Sequence, residues 1–504
     1  MRIFAISGYE AYQNKAVNNP TGFYQSIPLM KQDGVYFSGI KTPSTDEVLK
    51  ALKTEPINVV EARNKFHEVF GQRAEVAAFA PGRVEFIGNH VDNYGGHVIG
   101  FPTDSGVLAL ASESNSGVPD KRLVTIYSEK FTKENGAEFG TYTFDLNEDI
   151  GEPEKYYVEN FGEGGAKENW FWAKNAESTI RTLNEQFNGR LDSMNILDVS
   201  NLPCTGISTS AAAEVSVANA VLALHCLRVD PERIALLCKK AENLAGMSCG
   251  ILDQGTIAMA KGKDTGVLID CQKEPIFNDI PLDIEGHKLV FIVSGANHAN
   301  EKGVYNKFRE GYNIGTKVLL TNFFPELVED SSDPDITRLG QIKPEQFKAV
   351  KEEFEKVVAE YNRTAEENEK ADVKKVEHGV YENKRVMDAV EALKQKDIKK
   401  LGELLNESHY SSRDNLRVSC DELDKIHEIA MDSGAVGGRL SGAGWGGGAF
   451  FIVPDEELPR FVNAMETKYR TPKGKGRDGG EVPRMFIFEA KGGARVLDKS
   501  VKEV

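Results

Sequence analysis

The sequence predicts an α+β fold made of more than one domain, on three observations. The chain has 504 residues, several times the roughly 150 of a common domain. Short apolar runs of strand length recur along it, separated by stretches whose apolar residues fall three and four apart. The two kinds of segment do not alternate with the regularity of a doubly wound sheet.

Residues 1–70 read as an N-terminal extension, a packed arm or lid. Turn residues (Asn18, Asn19, Pro20, Pro43) mix there with short apolar patches, and Val59 to Phe70 reads as a helix. From about residue 74, β-rich runs and helical ones mingle. Ile196 to Val199 is a short strand before a turn of small residues, and Ala211 to Leu224, rich in Ala and Val, a buried helix. Val267 to Cys271 and Leu289 to Val293 are strands. Phe347, Val350, Phe354, Val357 and Tyr361 recur at helical steps among charges, an amphipathic helix. Val386 to Leu405 reads as one further helix, and Ala449 to Val453 and Met485 to Phe488 return to strand. Tyr469 to Gly480 carries Lys473, Lys475 and Arg477 among Pro and Gly and reads as a solvated loop. No internal repeat is visible.

Composition excludes several classes. The net charge of -16 disfavours nonspecific binding to a nucleic-acid backbone, which needs a positive surface. No apolar stretch approaches the roughly 18 residues of a membrane span. The start, MRIFAISGYEAYQN, lacks the pattern of a signal peptide. The cysteines, at 204, 226, 238, 249, 271 and 420, form no CxxC pair and no zinc spacing. They fit small buried residues in a reducing cytoplasm.

Four segments carry chemistry. The first, Ala80-Pro-Gly-Arg-Val-Glu-Phe-Ile-Gly-Asn-His-Val-Asp-Asn-Tyr-Gly-Gly96, places Arg83 after a Pro-Gly turn and packs Asn89, His90 and Asp92 together. Such a cluster can bond several hydroxyls of a polyol, or it is a polar structural turn. The second, Leu202 to Glu214, turns through Gly206, Ile207, Ser208, Thr209 and Ser210 directly into an Ala-rich helix. Unpaired N–H groups and small residues at a helix start make an anion site; a Ser-capped buried helix is the alternative. No GxxxxGK[ST] is present, so this is not a Walker loop. The third, Ala241 to Gln254, sets Glu242 and Asp253 in small and apolar sequence. Either acid can serve a metal or act as a base, or cap a helix. The fourth, Gly434 to Gly448, satisfies GxGxxG at Gly442, Gly444 and Gly447 but runs into strand-like AFFIV, so a dinucleotide fingerprint is disfavoured.

Taken in order, these segments resemble the motifs of the GHMP small-molecule kinases, and in detail those of the galactokinases. GRVEFIGNHVDNYGG is similar to a GRVNLIGEHTDYNGG-like signature, PCTGISTSA to PxGxGLSSSA, and GAGWGGG to GAGFGGC. AENLAGMSCGILDQ, GVYNKFRE and SHYSSRDNLRVSCDELD resemble further family stretches, and the likeness covers about residues 72 to 498. It implies a two-domain GHMP-kinase-like fold with its active site in the cleft between an N-terminal domain, residues 71–290, and a C-terminal domain, residues 291–504. It also implies transfer of the ATP γ-phosphate to the anomeric hydroxyl of galactose. Carried over by motif, Asp253 is the catalytic aspartate and Arg83 the arginine that stabilises the transition state and favours an ionised Asp253. Gly206 to Ser210 would hold the ATP phosphates, and Ser210 and Glu242 the Mg²⁺. Asn89, His90, Asp92 and Tyr305 fall where the family binds sugar, and Trp172 lies in a stretch like one near adenine. The expected partners are a small sugar and ATP, with the chain a monomer or weak oligomer.

There are departures. The family's usual Glu is Asn89, which removes repulsion toward an anionic sugar and opens galacturonate as a substrate. The phosphate loop is one residue short between Pro203 and Gly206, as is the stretch from Glu242 to Asp253, which opens a noncatalytic sugar- and ATP-binding regulator as a further reading.

Overall fold

A computed structural model describes residues 43–504 apart from 115–117, 137–138, 163–164, 203–205, 273, 297–303, 329–333, 473–480 and 499. The solvated loop expected at 469–480 thus falls mostly outside the described residues, as does the shortened stretch 203–205.

Two helices come first. In α1 (Thr45–Leu52) the Ser44 hydroxyl accepts from the Glu47 N–H while Glu47 reaches back to Ser44, a capping box. Asn58 caps α2 (Val59–Phe70), and Gly71 in the left-handed conformation ends it. A first sheet follows, from β1 (Val76–Ile87), β2 (His97–Glu113), β3 (Leu123–Ser128), β4 (Thr141–Asp145) and β5 (Met194–Ser200). Helix α3 (Glu129–Asn135) follows β3, and α4 (Pro153–Phe161) and α5 (Lys174–Gln186) precede β5. Then come α6 (Thr209–Leu224), α7 (Pro231–Leu244), α8 (Leu252–Met259), β6 (Thr265–Asp270) and β7 (Ile276–Pro281). β1, β2 and β5 pair antiparallel, β5 and β3 parallel, and β6 joins the first residues of β2.

The second sheet uses β8 (His287–Val293) and then, after a helical block, β9 (Gly437–Ser441), β10 (Gly448–Pro454) and β11 (Met485–Ile487), in the order β11-β8-β10-β9. The block holds α9 (Val304–Phe323), α10 (Pro344–Thr364), α11 (Val373–Gln395), α12 (Ile398–Ser411) and α13 (Asp421–Asp432). Helix α14 (Leu458–Lys468) follows β10, and β12 (Arg495–Val496) returns to pair with β1. The fold is α+β and in two parts, each built on its own sheet.

Burial explains how the two parts meet. Strand side chains alternate between faces. Phe291, Phe450, Ile452 and Phe486 of the second sheet enter the core built on the first sheet. Their neighbours Val290, Ile292, Phe451, Val453 and Ile487 enter a second core shared with α9, α10, the first half of α11, α13 and α14. Both faces of the second sheet are therefore dry, which is why β8 and β10 read as continuous apolar runs rather than alternating ones.

Two local expectations are corrected. Val386 to Leu405 is not one helix: Lys396 adopts a left-handed conformation after α11, and Asp397 caps α12 by accepting from the Lys400 N–H. A one-residue reversal without Gly or Pro leaves no strong mark in sequence. The Pro81-Gly82 pair is not a turn but an irregularity inside β1, where the register with β2 shifts between Pro81 and Arg83.

Candidate active site

The Pro81-Gly82 irregularity places Arg83. A Cβ at Gly82 would lie 2.7 Å from the Ile207 carbonyl oxygen, so only glycine lets the loop before α6 come this close to β1. There the Arg83 N–H donates to the Ile207 carbonyl at 3.1 Å. The Arg83 side chain, 5% exposed, makes a two-pronged pair with Asp253: Nε to Oδ1 at 2.7 Å and Nη2 to Oδ2 at 2.8 Å. Its remaining nitrogen, Nη1, donates to the Gly206 carbonyl at 3.1 Å. Asp253, in the first turn of α8, keeps 28% of its side chain open to solvent and also accepts from the Ser208 hydroxyl.

That last bond bears on the Ser-capped reading of the second segment. Ser208 precedes α6 in a left-handed conformation (φ 54°, ψ 59°), and no side chain caps the helix. Its hydroxyl serves Asp253 instead. The start of α6, at Thr209 and Ser210, thus carries no side-chain cap, and the dipole of a 16-residue helix ends there.

Ser210 donates to Glu242 Oε1 at 3.0 Å. Glu242 is buried on α7 and also accepts from Gln254 Nε2 at 2.6 Å, while the same amide nitrogen donates to the buried Glu214 at 3.0 Å. Burial, reinforced by the charge of Asp253, pushes the Glu242 carboxyl up. A bound cation would relieve that cost. Among the described residues no three His, Cys, Asp or Glu side chains form a metal cage. One hydroxyl and one carboxylate are what Mg²⁺ commonly takes from a protein when phosphates and water complete its shell, so the pair fits.

The signature residues follow Arg83 in the chain. Asp92 accepts from the Leu252 N–H at 3.3 Å and so touches the start of the helix that carries Asp253. His90, left-handed at φ 56°, donates from Nε2 to the Ala443 carbonyl at 3.0 Å, and its ring lies near Phe308 and Trp445. Burial pulls its pKa down to about 3, so the ring is neutral at pH 7. Tyr305 lies in the first turn of α9, with its side chain outside the described residues. Trp172 stacks on Phe131 and donates to the Phe139 carbonyl at 3.0 Å.

Asn89 is 1% exposed and fully engaged. Its amide nitrogen donates to Glu85 Oε1 at 2.7 Å and to the Gly442 carbonyl at 3.2 Å, and its oxygen accepts from the Ser412 hydroxyl at 2.9 Å. Glu85 is a residue that sequence reasoning missed. Against the pattern GRVNLIGEH, the chain has GRVEFIGNH: Asn and Glu have exchanged places, and only the Asn89 half stood out. Glu85 also accepts from the Gly442 N–H at 3.1 Å and faces the fully buried Arg439 at 3.4 Å. Burial raises the Glu85 carboxyl against the opposing pull of Arg439 and Arg83.

The glycine-rich fourth segment is a β-hairpin, β9 into β10, not a helix start. Gly444, at φ 93°, lies where a Cβ would come within 2.2 Å of the Val418 carbonyl oxygen. The hairpin brings Ser441, Gly442 and Ala443 against Glu85, Asn89 and His90. The second part thus meets the signature segment directly, while Arg83 and Asp253 pair with each other and with the loop before α6.

Comparison with known proteins agrees with this geometry. Residues 64–113 match the galactokinase galactose-binding signature, 174–261 the GHMP kinases N terminal domain and 389–471 the GHMP kinases C terminal domain. The chain is 30% identical over 416 residues to the galactokinase of Fusobacterium nucleatum, covering 81% of this chain and 93% of that one. It is 28% identical over 441 residues to that of Bacillus subtilis, covering 87% and 98%. The crystal structure of Lactococcus lactis galactokinase complexed with galactose superposes with a TM-score of 0.67 at 25% identity, over 87% of this chain and all of the other. A Methanococcus jannaschii mevalonate kinase shares the fold, with a TM-score of 0.50. By its sequence relatives and by the meeting of its motifs around Arg83 and Asp253, the chain belongs to the galactokinase family of the GHMP kinases.

Proposed function

We propose that the chain is an ATP-dependent galactose 1-kinase. The observation that carries this reading is the Arg83–Asp253 pair, set between an uncapped helix start suited to phosphate and a cluster of polar signature residues suited to a sugar. Asp253 accepts the proton of the anomeric hydroxyl as that oxygen bonds to the γ-phosphorus. The bond from that phosphorus to the ADP oxygen breaks, and ADP departs with its electron pair. Arg83 keeps the carboxylate oriented and places positive charge beside the transferring group. Gly206, Ile207, Ser208, Thr209 and Ser210 form the phosphate loop, and Ser210 with Glu242 would hold Mg²⁺. When bound, Mg²⁺ neutralises phosphate charge. His90 and Asp92 would bind the sugar, with Tyr305 assigned the same role by its motif and Asn89 supporting His90 from within the fold. The cysteines among the described residues are free thiols, in keeping with a cytoplasmic setting.

Incubation with ATP, Mg²⁺ and a panel of galactose, galacturonate, arabinose and N-acetylgalactosamine is expected to yield galactose 1-phosphate fastest, read by phosphorus NMR. ATP and sugar binding without product would favour the regulator instead. Two contact groups speak against that outcome: Arg83 and Ser208 on Asp253, and Ser210 on Glu242.

The sugar-acid reading loses its motive. The acid function absent at position 89 persists at Glu85, one hydrogen bond behind it. Asn89→Glu alone would set two carboxyls against each other and is expected to raise the galactose KM by about tenfold, the scale of one charged hydrogen bond. Adding Glu85→Asn restores the family order and is expected to recover most of that loss. Unchanged KM in the single variant would show that position 89 does not influence the sugar.

Glu242→Gln is expected to raise the Mg²⁺ concentration for half-maximal activity by roughly tenfold or more. Mn²⁺ titration followed by electron paramagnetic resonance should show the same weakening without turnover.

A further inference from the structure

Helix α11 places His378, Glu382 and Asn383 on one face, four and five residues apart. Each meets the signature segment, and mostly its backbone. Glu382 Oε1 accepts the N–H groups of Gly88 at 3.0 Å and Asn89 at 3.2 Å. His378 Nε2 lies 2.9 Å from the Asn89 carbonyl oxygen. Asn383 Oδ1 accepts the His97 N–H at 2.8 Å and lies 2.9 Å from His97 Nδ1, while its amide nitrogen donates to the Gly340 carbonyl. The helix therefore holds the signature segment on both sides of His90 and Asp92.

A second tier holds the first. Ser408 donates to Glu382 at 2.6 Å, Ser411 Oγ lies 2.9 Å from His378 Nδ1, and Ser412 donates to Asn89 Oδ1. These are the serines of the SHYSS stretch, which the catalytic reading leaves without a role. Arg385 pairs with Glu382 at 2.7 Å. Burial alone would raise the Glu382 carboxyl, but Arg385, His378 and Arg439, with the Ser408 bond, outweigh it and hold the group well below the usual carboxylate range. Burial keeps His378 at about 4, hence neutral at pH 7. With Nε2 against a carbonyl, its proton sits there, and Nδ1 accepts from Ser411.

His90 needs such support. A histidine in the left-handed region persists only where its surroundings over-determine it, and here both backbone groups of the preceding residue are fixed by side chains from the other part of the molecule.

We propose that His378, Glu382 and Asn383 are positioning residues for the sugar: they hold the backbone of residues 88–97 in the one arrangement that aims His90 and Asp92 at it. This rests on the galactose reading above. Steady-state kinetics with galactose and ATP varied separately test it on the full chain. Glu382→Gln replaces four acceptor contacts with an amide that must also donate. The expected result is a galactose KM raised roughly 10- to 100-fold, on the scale of small displacements of binding groups, with the ATP KM unchanged within about twofold. His378→Leu should raise the galactose KM in the same selective way. His378→Gln, which keeps a donor near the Nε2 position, should recover most of that loss.

Equal rises in both KM values, or a fall in kcat alone, would overturn the clamp. So would an unchanged galactose KM in His378→Leu, which decides the matter if Glu382→Gln does not fold. Absence of galactose turnover by the unmodified chain would overturn the underlying reading and the clamp with it, whereas turnover without a KM split overturns the clamp alone.

Discussion

Asp253→Asn is expected to lower kcat by about 10²- to 10⁴-fold, the range of a general base in proton transfer, while the protein stays folded and still binds ATP. Two losses coincide at this atom group. The amide cannot take the hydroxyl proton. It also turns an NH₂ toward Arg83 or Ser208, both of which donate to the carboxylate in the native site. The arginine loses its two-pronged partner when its orientation matters most. Because the effect lies in the transition state, kcat and kcat/KM for galactose should fall together. A coupled ADP-release assay measures the turnover, and calorimetric titration with a nonhydrolysable ATP analogue checks that binding survives. A variant within threefold of the native kcat would remove Asp253 from the chemistry.

The largest effect on stability is expected at Arg439. It has no exposed surface, and it reaches from β9 to both the backbone carbonyl and the carboxyl of Glu85 on β1. Removing one member of a buried pair leaves the other charge without compensation and costs about 3–5 kcal/mol. Arg439→Met should therefore lower the urea midpoint markedly. Glu85→Gln combined with Arg439→Met removes both charges, keeps an acceptor for the Gly442 N–H and should regain a good part of the loss. With Glu85→Gln alone and the native protein, these variants form a double-mutant cycle in urea unfolding. Additive losses would mean that the two residues contribute independently.

What was legible in sequence is what local chemistry encodes. Val59–Phe70 shows its helical spacing between a capping Asn and a terminating Gly. β8 and β10 show as apolar runs because neither face is wet. The signature, loop and acid-bearing segments stood out because each concentrates small and polar residues unsuited to a plain core. What stayed hidden is set by partners far along the chain. Glu85 gains meaning only from Arg439, and Glu382 only from Gly88 and Asn89 nearly three hundred positions earlier. Along α11, His378 and Glu382 look like the polar side of an amphipathic helix, yet both are fully buried. Helical periodicity reports that a face exists, not what covers it. Asn89 illustrates the same limit: in sequence it reads as an open amide for a sugar, whereas packing has spent each of its bonds.

The two-sided second sheet has a consequence for biosynthesis. The core on the first sheet begins at Ala78 and also takes in Phe450, Ile452, Phe486 and Phe488, residues made long after it. Burying each such side chain contributes about 1.5–3 kcal/mol, together comparable with the whole stability of a typical domain. While the chain emerges from the ribosome, its first half waits with that surface uncovered, and β12 can close against β1 only after the second sheet has been made. A truncated transcript or a stalled ribosome would release a nascent chain with its oldest core open, a natural client for chaperones.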